Sequence, residues 1–165
     1  MPGKEPRAHD KERRDRQIEE VGHDPYHARS KPREPAVCPQ CGLVFHAGRW
    51  QRLARPAAAN EHLCPACHRI KDGLPAGIIT LEGAFAAENA TEILNLVRNE
   101  ENREASDHPL QRIMAVTRED GKTVITTTDI HLARRIGDAV VHAFHGKLDL
   151  KYSPDEYLVR VNWSR

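Results

Sequence analysis

Long apolar runs and a secretion signal are both missing from this sequence of 165 residues. No stretch approaches the roughly 20 apolar residues that cross a bilayer as a helix. Residues 1–30 contain no hydrophobic segment of the kind that forms a signal peptide. These absences argue against a membrane protein and predict a soluble protein in the cytoplasm.

The motifs of common enzyme classes are also absent. The chain has no Gly-rich phosphate loop, no Gly-x-Ser-x-Gly elbow and no His-Glu-x-x-His metal motif. Asp129 and His131 could do acid-base chemistry by residue type, but two residues apart at the start of a helix they point in different directions. We therefore expect no enzymatic activity and no small-molecule substrate.

Aromatic residues are scarce, whereas charged residues and prolines are plentiful. Aromatic residues make up 5% of the chain and charged residues 30%, and the 11 prolines are concentrated in the first half. This asymmetry predicts an ordered C-terminal domain behind a looser N-terminal part. Residues 1–36 mix charges of both signs and end in proline-stiffened segments, so we predict a disordered tail and strap. The tail either only solubilises the protein or folds onto RNA or a protein partner.

Cysteine occurs only four times, in two Cys-Pro-x-Cys motifs separated by 22 residues. Two thiolates three positions apart face one ion when the turn between them is tight, and two such pairs complete a tetrahedral zinc site. The missing secretion signal argues against disulfides, and a thioredoxin-type motif needs only one pair. The spacing predicts one structural zinc ion in a zinc ribbon over residues 37–75. Its ligands would be Cys38, Cys41, Cys64 and Cys67. The histidines near enough in sequence to replace one cysteine are His46, His62 and His68.

Basic side chains are concentrated in the same region. Residues 37–75 carry five Lys/Arg against two Asp/Glu, whereas residues 76–165 carry eleven Lys/Arg against fourteen Asp/Glu. An arginine beside a tryptophan offers a cation and a stacking surface for RNA, as Arg49 and Trp50 do here. Trp50 alternatively packs inside a ribbon that has few apolar residues. The pattern predicts RNA contacts at Arg49, Trp50, Arg52, Arg55, Arg69 and Lys71.

Regular secondary structure is predicted from Gly77 onward. Residues 78–81 form an apolar strand, and Asn89 with Glu92 resembles a capping box that opens a helix. The dipeptide Asp120-Gly121 is a strong signal for a hairpin between two further strands.

A second helix is expected to begin at Thr128 or Asp129, to bury apolar residues at a spacing of four, and to end at Gly146. Two strands with alternating apolar and polar residues follow it. The resulting order βαββαββ predicts a ferredoxin-like α+β domain over residues 76–165, with an added C-terminal strand and its helices on one sheet face. In the second helix, Arg134 and Arg135 are candidate contacts to RNA or to the other module. The alternative is a capped helix with a solvated face.

Several segments together resemble one known family. They are residues 125–137 (Thr-Thr-Asp to Arg-Arg-Ile-Gly), 144–152 and 159–163, preceded by Asp24-Pro25-Tyr26, Cys38-Pro39-Gln40-Cys41-Gly42 and Gly48-Arg49-Trp50. The chain resembles the archaeal and eukaryotic large-ribosomal-subunit export-adaptor (Nmd-type) family and its small bacterial relatives over residues 24–165.

This resemblance implies binding to the large ribosomal subunit or to another structured RNA. The larger members carry more zinc knuckles and a domain with export signals, which these 165 residues lack, so nuclear export is not part of the expectation. The combined prediction is a non-enzymatic, zinc-binding, RNA-binding protein. The alternative is a zinc-ribbon adaptor that binds another protein and does not bind RNA directly.

Overall fold

A computed structural model describes residues 24–27 and 31–165 of the protein. These residues form nine strands and four helices, an α+β arrangement as predicted. The predicted disorder of the tail concerns mainly residues 1–23 and 28–30, which lie outside the described residues. Within the described ranges, no helix is long and apolar enough to cross a membrane.

The first part of the structure, which we call the cysteine module, runs from β1 to α1. Its elements are β1 (Ala36–Val37), β2 (Val44–His46), β3 (Arg49–Gln51), β4 (Asn60–Glu61) and α1 (Pro65–Asp72). The strands form a sheet in the order β3-β2-β1-β4, in which β1 and β4 are parallel. The ribbon prediction did not include α1. Pro65 at its start and Gly73 at its end, with a φ of 66°, are ordinary helix start and stop signals.

The second part, which we call the α+β domain, contains the remaining elements. They are β5 (Gly77–Glu82), α2 (Ala84–Glu88), α3 (Ala90–Glu104), β6 (Ile113–Glu119), β7 (Lys122–Thr127), α4 (Ile130–Phe144), β8 (Lys147–Tyr152) and β9 (Val159–Ser164). Asp120 and Gly121 both have a positive φ between β6 and β7, so the predicted hairpin is confirmed.

The ferredoxin-like order is followed only by the first three strands of this domain. The sheet order is β6-β7-β5-β9-β8, so β9 lies beside β5 and parallel to it, and β8 lies outside at the edge. A ferredoxin-like sheet would place the strand after the second helix beside β5. The reason for the difference is burial: β9 completely buries Val159, Val161 and Trp163, whereas every residue of β8 is exposed or half-buried. The added strand is therefore inserted into the sheet.

The helices cover one face of the five-stranded sheet, as predicted. Helix α4 packs against α3 and lies across β5, β7, β8 and β9. Gly137 permits this close approach, because a Cβ atom there would lie 2.7 Å from Val161 Cγ1. The indole nitrogen of Trp163 donates a hydrogen bond to His145 O at 2.6 Å and fixes the end of α4 to β9.

Both predicted helix starts are found, but only one of them has the predicted side-chain cap. Asp129 caps α4 as expected, because its Oδ1 accepts hydrogen bonds from the backbone N–H groups of His131 and Leu132. Asn89 does not cap α3 with its side chain. Its amide nitrogen instead donates to Phe85 O at 3.0 Å, because the short helix α2 precedes it directly.

Candidate metal centre

The four cysteine sulfurs lie together in the cysteine module, within 4.8 Å of one another. A tetrahedral zinc ion with Zn–S bonds of about 2.3 Å requires sulfurs about 3.8 Å apart. The Sγ atoms of Cys41 and Cys64 are 3.7 Å apart, which fits this requirement. Cys38, Cys64 and Cys67 are buried, whereas Cys41 is exposed. The four residues predicted as ligands could therefore hold a metal ion.

Backbone N–H groups shape both knuckles of the centre. In the first, Gly42 donates to Cys38 O at 2.9 Å and has a φ of 77°, a conformation that suits glycine. In the second, Cys64 caps α1 and its sulfur accepts from the Cys67 N–H at 3.4 Å. The Cys64 N–H also donates to Cys38 Sγ at 3.4 Å and so connects the two knuckles. Such N–H groups stabilise thiolates.

The pKa values of the thiols are displaced in opposite directions. Burial acts to raise the pKa of Cys38, but backbone N–H groups, led by that of Cys64, outweigh it and lower the pKa to about 7. Burial raises the pKa of Cys64 well above its ordinary value, and repulsion from the other thiolates adds to this. Burial also raises the pKa of Cys67. Without a metal the centre therefore retains protons near neutral pH, and a bound metal would displace them.

A cation from the α+β domain reaches this centre. The Nη2 atom of Arg112 donates to Cys41 Sγ at 3.3 Å and to Cys64 Sγ at 3.4 Å, and Nη1 donates to Cys67 Sγ at 3.4 Å. Burial acts to lower the pKa of Arg112, but the hydrogen bonds to Cys67 and Cys41 outweigh it and raise the pKa. The guanidinium therefore remains charged.

Sequence reasoning missed Arg112. It lies 45 residues after Cys67 and 71 residues after Cys41, just before β6 begins. No local spacing or motif marks an arginine that approaches a metal site across this separation. Only the packing of the two modules brings it there.

The residues predicted to contact RNA divide into exposed and buried groups. Those exposed in the cysteine module are Arg49, Arg52, Arg55 and Lys71. Arg55 lies 3.7 Å from Glu61 in an ion pair whose side chains are 62% and 65% exposed. Such a pair contributes little stability and leaves the guanidinium accessible.

Trp50 is 8% exposed and packs inside the cysteine module. Its ring lies 5.4 Å from the ring of Phe45 and is stacked on that of His62 at 6.2 Å. This arrangement agrees with the packing alternative and leaves little of the indole for an RNA base.

Arg69 is also directed inward, with 4% exposure. Its Nη2 lies 2.7 Å from Asp24 Oδ1, and its Cζ lies 4.4 Å from the centre of the Tyr26 ring. The Tyr26 hydroxyl donates to Asp72 Oδ2 at 2.9 Å. The Asp24-Pro25-Tyr26 strap therefore clamps α1 from outside, which explains why Arg69 is buried.

Arg134 and Arg135 are half-buried on α4. Arg134 Nε lies 3.8 Å from Asp138 Oδ2 on the same helix. Arg135 Nη1 donates to Gln111 Oε1 at 3.2 Å and lies 3.6 Å from Glu104 Oε2. Arg135 therefore supports the segment that leads to Arg112.

Comparisons of the chain with known protein families, with curated proteins and with solved structures find no match.

Proposed function

We propose that this protein is a non-enzymatic, structural-zinc protein that binds RNA through its cysteine module. The observation that supports this proposal most directly is the exposure of Arg49, Arg52 and Arg55 on the surface of the cysteine module. The family resemblance suggests the large ribosomal subunit as the source of the RNA. The proposed compartment is the cytoplasm, because four unpaired thiols suit a reducing environment.

Zinc is the proposed metal because four thiolates in a tetrahedral arrangement suit it, and because all four positions are supplied by protein. A centre without an open coordination position has a structural role. On this proposal the cysteine module is a zinc ribbon whose second knuckle opens a helix. The α+β domain would then be a ferredoxin-like variant with an inserted strand. Elemental analysis of the purified protein should find one zinc per chain.

The proposed RNA contacts are electrostatic. Phosphate groups release counterions when arginines neutralise them, so binding of this kind weakens as the salt concentration rises. Arg49 is exposed at the start of β3, and Arg52 and Arg55 follow it closely in the chain. Because Trp50 and Arg69 are buried, we assign them to packing and leave them out of the proposed RNA surface.

Charge reversal of the three arginines tests the proposal. Arg49, Arg52 and Arg55 are changed together to Glu, and co-sedimentation with large ribosomal subunits is measured over a salt series. We expect binding to be abolished at moderate salt, and any residual binding to have a slope of log K against log salt reduced by about 2 to 3.

A matched control carries the same change in net charge on the other part of the protein. It replaces the exposed residues Arg98, Arg118 and Arg160 of the α+β domain with Glu. This control should bind nearly as well as the wild type. Equal binding by the two triple variants and the wild type at every salt concentration would remove the RNA proposal.

A protein-binding adaptor is the second candidate function, and one observation favours it. The cysteine module and the turn that follows α1 expose three large apolar side chains, Leu53, Ile70 and Leu74, at 46%, 43% and 56%. Exposed apolar side chains of this kind occur at the centres of protein interfaces. An interaction that is lost in Ile70→Ser with Leu74→Ser, but is insensitive to salt and to the arginine changes, would favour the adaptor.

A further inference from the structure

The contact between Arg112 and the cysteine sulfurs joins two regions of the chain that have separate cores. The four sulfurs belong to the cysteine module, whereas Arg112 precedes the first residue of β6 in the α+β domain. Its guanidinium donates to three of the four sulfurs at 3.3 to 3.4 Å. Leu110, two residues earlier, packs against the apolar core of the cysteine module. The segment around Arg112 is therefore the place where the α+β domain meets the candidate metal centre.

The α+β domain holds Arg112 in position independently of the sulfurs. The Arg112 N–H donates to Thr128 Oγ1 at 2.9 Å, and the Thr128 N–H donates to Arg112 O at the same distance. The Arg112 Nε donates to Pro109 O at 2.9 Å. On the other side, the Ile113 N–H donates to Glu101 Oε1 of α3 at 2.8 Å. Arg112 is thus preorganised by groups that do not depend on the metal.

The charge of a metal-loaded centre explains why a cation close to the sulfurs is favourable. Four thiolates around a divalent ion carry two net negative charges, and burial of uncompensated charge is costly. A guanidinium that donates to the sulfurs removes half of this charge through charge-assisted hydrogen bonds. It also restrains the thiolates, as outer-shell partners of metal ligands generally do.

We infer that Arg112 balances the charge of the metal-loaded centre, so that metal binding and docking of the cysteine module on the α+β domain form one coupled equilibrium. The metal binds more tightly when Arg112 is docked, and by reciprocity the module docks more firmly when the metal is bound. Arg112 is a positioning residue in this arrangement, because it touches the ligands and not the ion. The inference depends on the metal-binding part of the proposed function and is independent of RNA binding.

The test uses the full-length, metal-loaded protein and three variants. Arg112→Met removes the charge and the hydrogen bonds, Arg112→Lys keeps the charge with fewer donors, and Arg118→Met is the control at an exposed arginine of the same segment. Zinc affinity is measured by competition with a chromogenic chelator. We expect affinity to fall about 10- to 100-fold in Arg112→Met, to fall less in Arg112→Lys, and to remain unchanged in Arg118→Met.

A spectroscopic readout distinguishes direct contact with the sulfurs from a general loss of stability. Cobalt(II) in the site gives thiolate-to-metal charge-transfer bands whose energy depends on hydrogen bonds to the sulfurs. Loss of the Arg112 donors should move these bands to lower energy, and Arg112→Lys should restore part of the shift. Wild-type bands and wild-type zinc affinity in Arg112→Met would overturn the inference.

Nuclear magnetic resonance of the wild-type protein gives a test that requires no variant. Removal of the metal by a chelator should shift the methyl signals of Leu110, which packs against the cysteine module, while the amides of Thr128 and of α4 around Ile136 stay protected from exchange because their partners lie within the α+β domain. Unchanged Leu110 signals after the metal has left would show that docking is independent of the metal. A protein that binds neither zinc nor cobalt would also overturn the inference, whatever its affinity for RNA.

Discussion

The cysteine module and the α+β domain have cores of different kinds. The core of the α+β domain joins fifteen buried residues from its sheet and helices, all of them apolar. The main core cluster of the cysteine module joins eight buried residues, three of which are cysteines, and Val37 and Val44 are buried outside this cluster. Ordering a residue costs about 1 to 2 kcal/mol of backbone entropy. An apolar core of this size cannot offset that cost summed over the whole cysteine module. A bound metal would supply in the cysteine module the stability that apolar burial supplies in the α+β domain.

Loss of one metal ligand should have the largest effect on the difference between the two cores. Cys64 is fully buried and its N–H and sulfur bond to both knuckles, so Cys64→Ser removes one of the four clustered ligands. Structural zinc contributes about 10 to 16 kcal/mol in small zinc-binding peptides. We expect β1 to β4 and α1 to lose amide protection in hydrogen-exchange NMR, while β5, β9 and α4 retain theirs.

Chelation of zinc from the wild-type protein is the control for this variant and should reproduce the same pattern. Simultaneous loss of protection in both parts would mean that the α+β domain has no independent stability. Full protection of the module without metal would mean that the metal does not hold it together.

The two tryptophans test the same difference, because each lies in one of the two cores. Trp163 is fully buried and hydrogen-bonded, and Trp163→Ala should reduce the free energy of unfolding of the α+β domain by about 3 to 5 kcal/mol. Thermal denaturation and zinc content are measured together. Zinc bound per folded chain should not change in Trp163→Ala, whereas Trp50→Ala should weaken zinc binding and leave the α+β domain stable. Loss of bound zinc in Trp163→Ala, or loss of α+β-domain stability in Trp50→Ala, would contradict the assignment of one tryptophan to each core.

Acidification should weaken metal binding through the buried thiols. The pKa values of Cys64 and Cys67 are raised, so both hold protons near neutral pH in the metal-free protein, and the metal must displace these protons. Each displaced proton changes the affinity about tenfold per pH unit. With two displaced protons, zinc affinity should therefore fall about ten-thousandfold between pH 8 and pH 6 in a competition assay. An affinity that is constant over this range would show that the thiols are already deprotonated.

The strap at residues 24–27 should have a smaller effect, confined to the cysteine module. Asp24 and Arg69 form an ion pair whose side chains are 11% and 4% exposed, and Asp24→Asn leaves the arginine buried without a counter-charge. We expect a loss of about 1 to 3 kcal/mol in thermal denaturation of the zinc-loaded protein. Glu61→Gln, which breaks the exposed pair with Arg55, is the matched control and should cost at most about 1 kcal/mol. Equal effects of the two changes would indicate that the strap is not clamped on α1.

Features that depend on neighbouring residues were predictable. The two cysteine motifs indicated four ligands that the fold brings together, the Asp120-Gly121 dipeptide indicated the hairpin, and Asp129 indicated the start of α4. At Asn89 the predicted helix begins but the predicted side-chain cap does not form, because the Asn89 amide bonds instead to Phe85 O of the short helix before it. A local signal is reliable only where no other element competes for the same group.

Features that depend on distant residues could not be predicted. Strands β8 and β9 both alternate apolar and polar residues, and only the competition for a place beside β5 selects β9, which buries its apolar side fully. The burial of Arg69 depends likewise on Asp24 and Tyr26, some 45 residues earlier in the chain. Charge and spacing alone identified Arg69 as a surface cation.

The four thiols of the candidate metal centre and the positions of the turns follow from the order of residues alone, because turn geometry and ligand spacing are local properties. Which cation faces those thiols depends instead on how the folded elements pack. Arg112 reaches them because Thr128 and Pro109 hold its backbone and side chain while the two modules pack together. A cluster of largely buried thiolates favours a compensating charge nearby. No local rule fixes where in the chain that charge must lie, so the packing of the two modules selects the residue that supplies it.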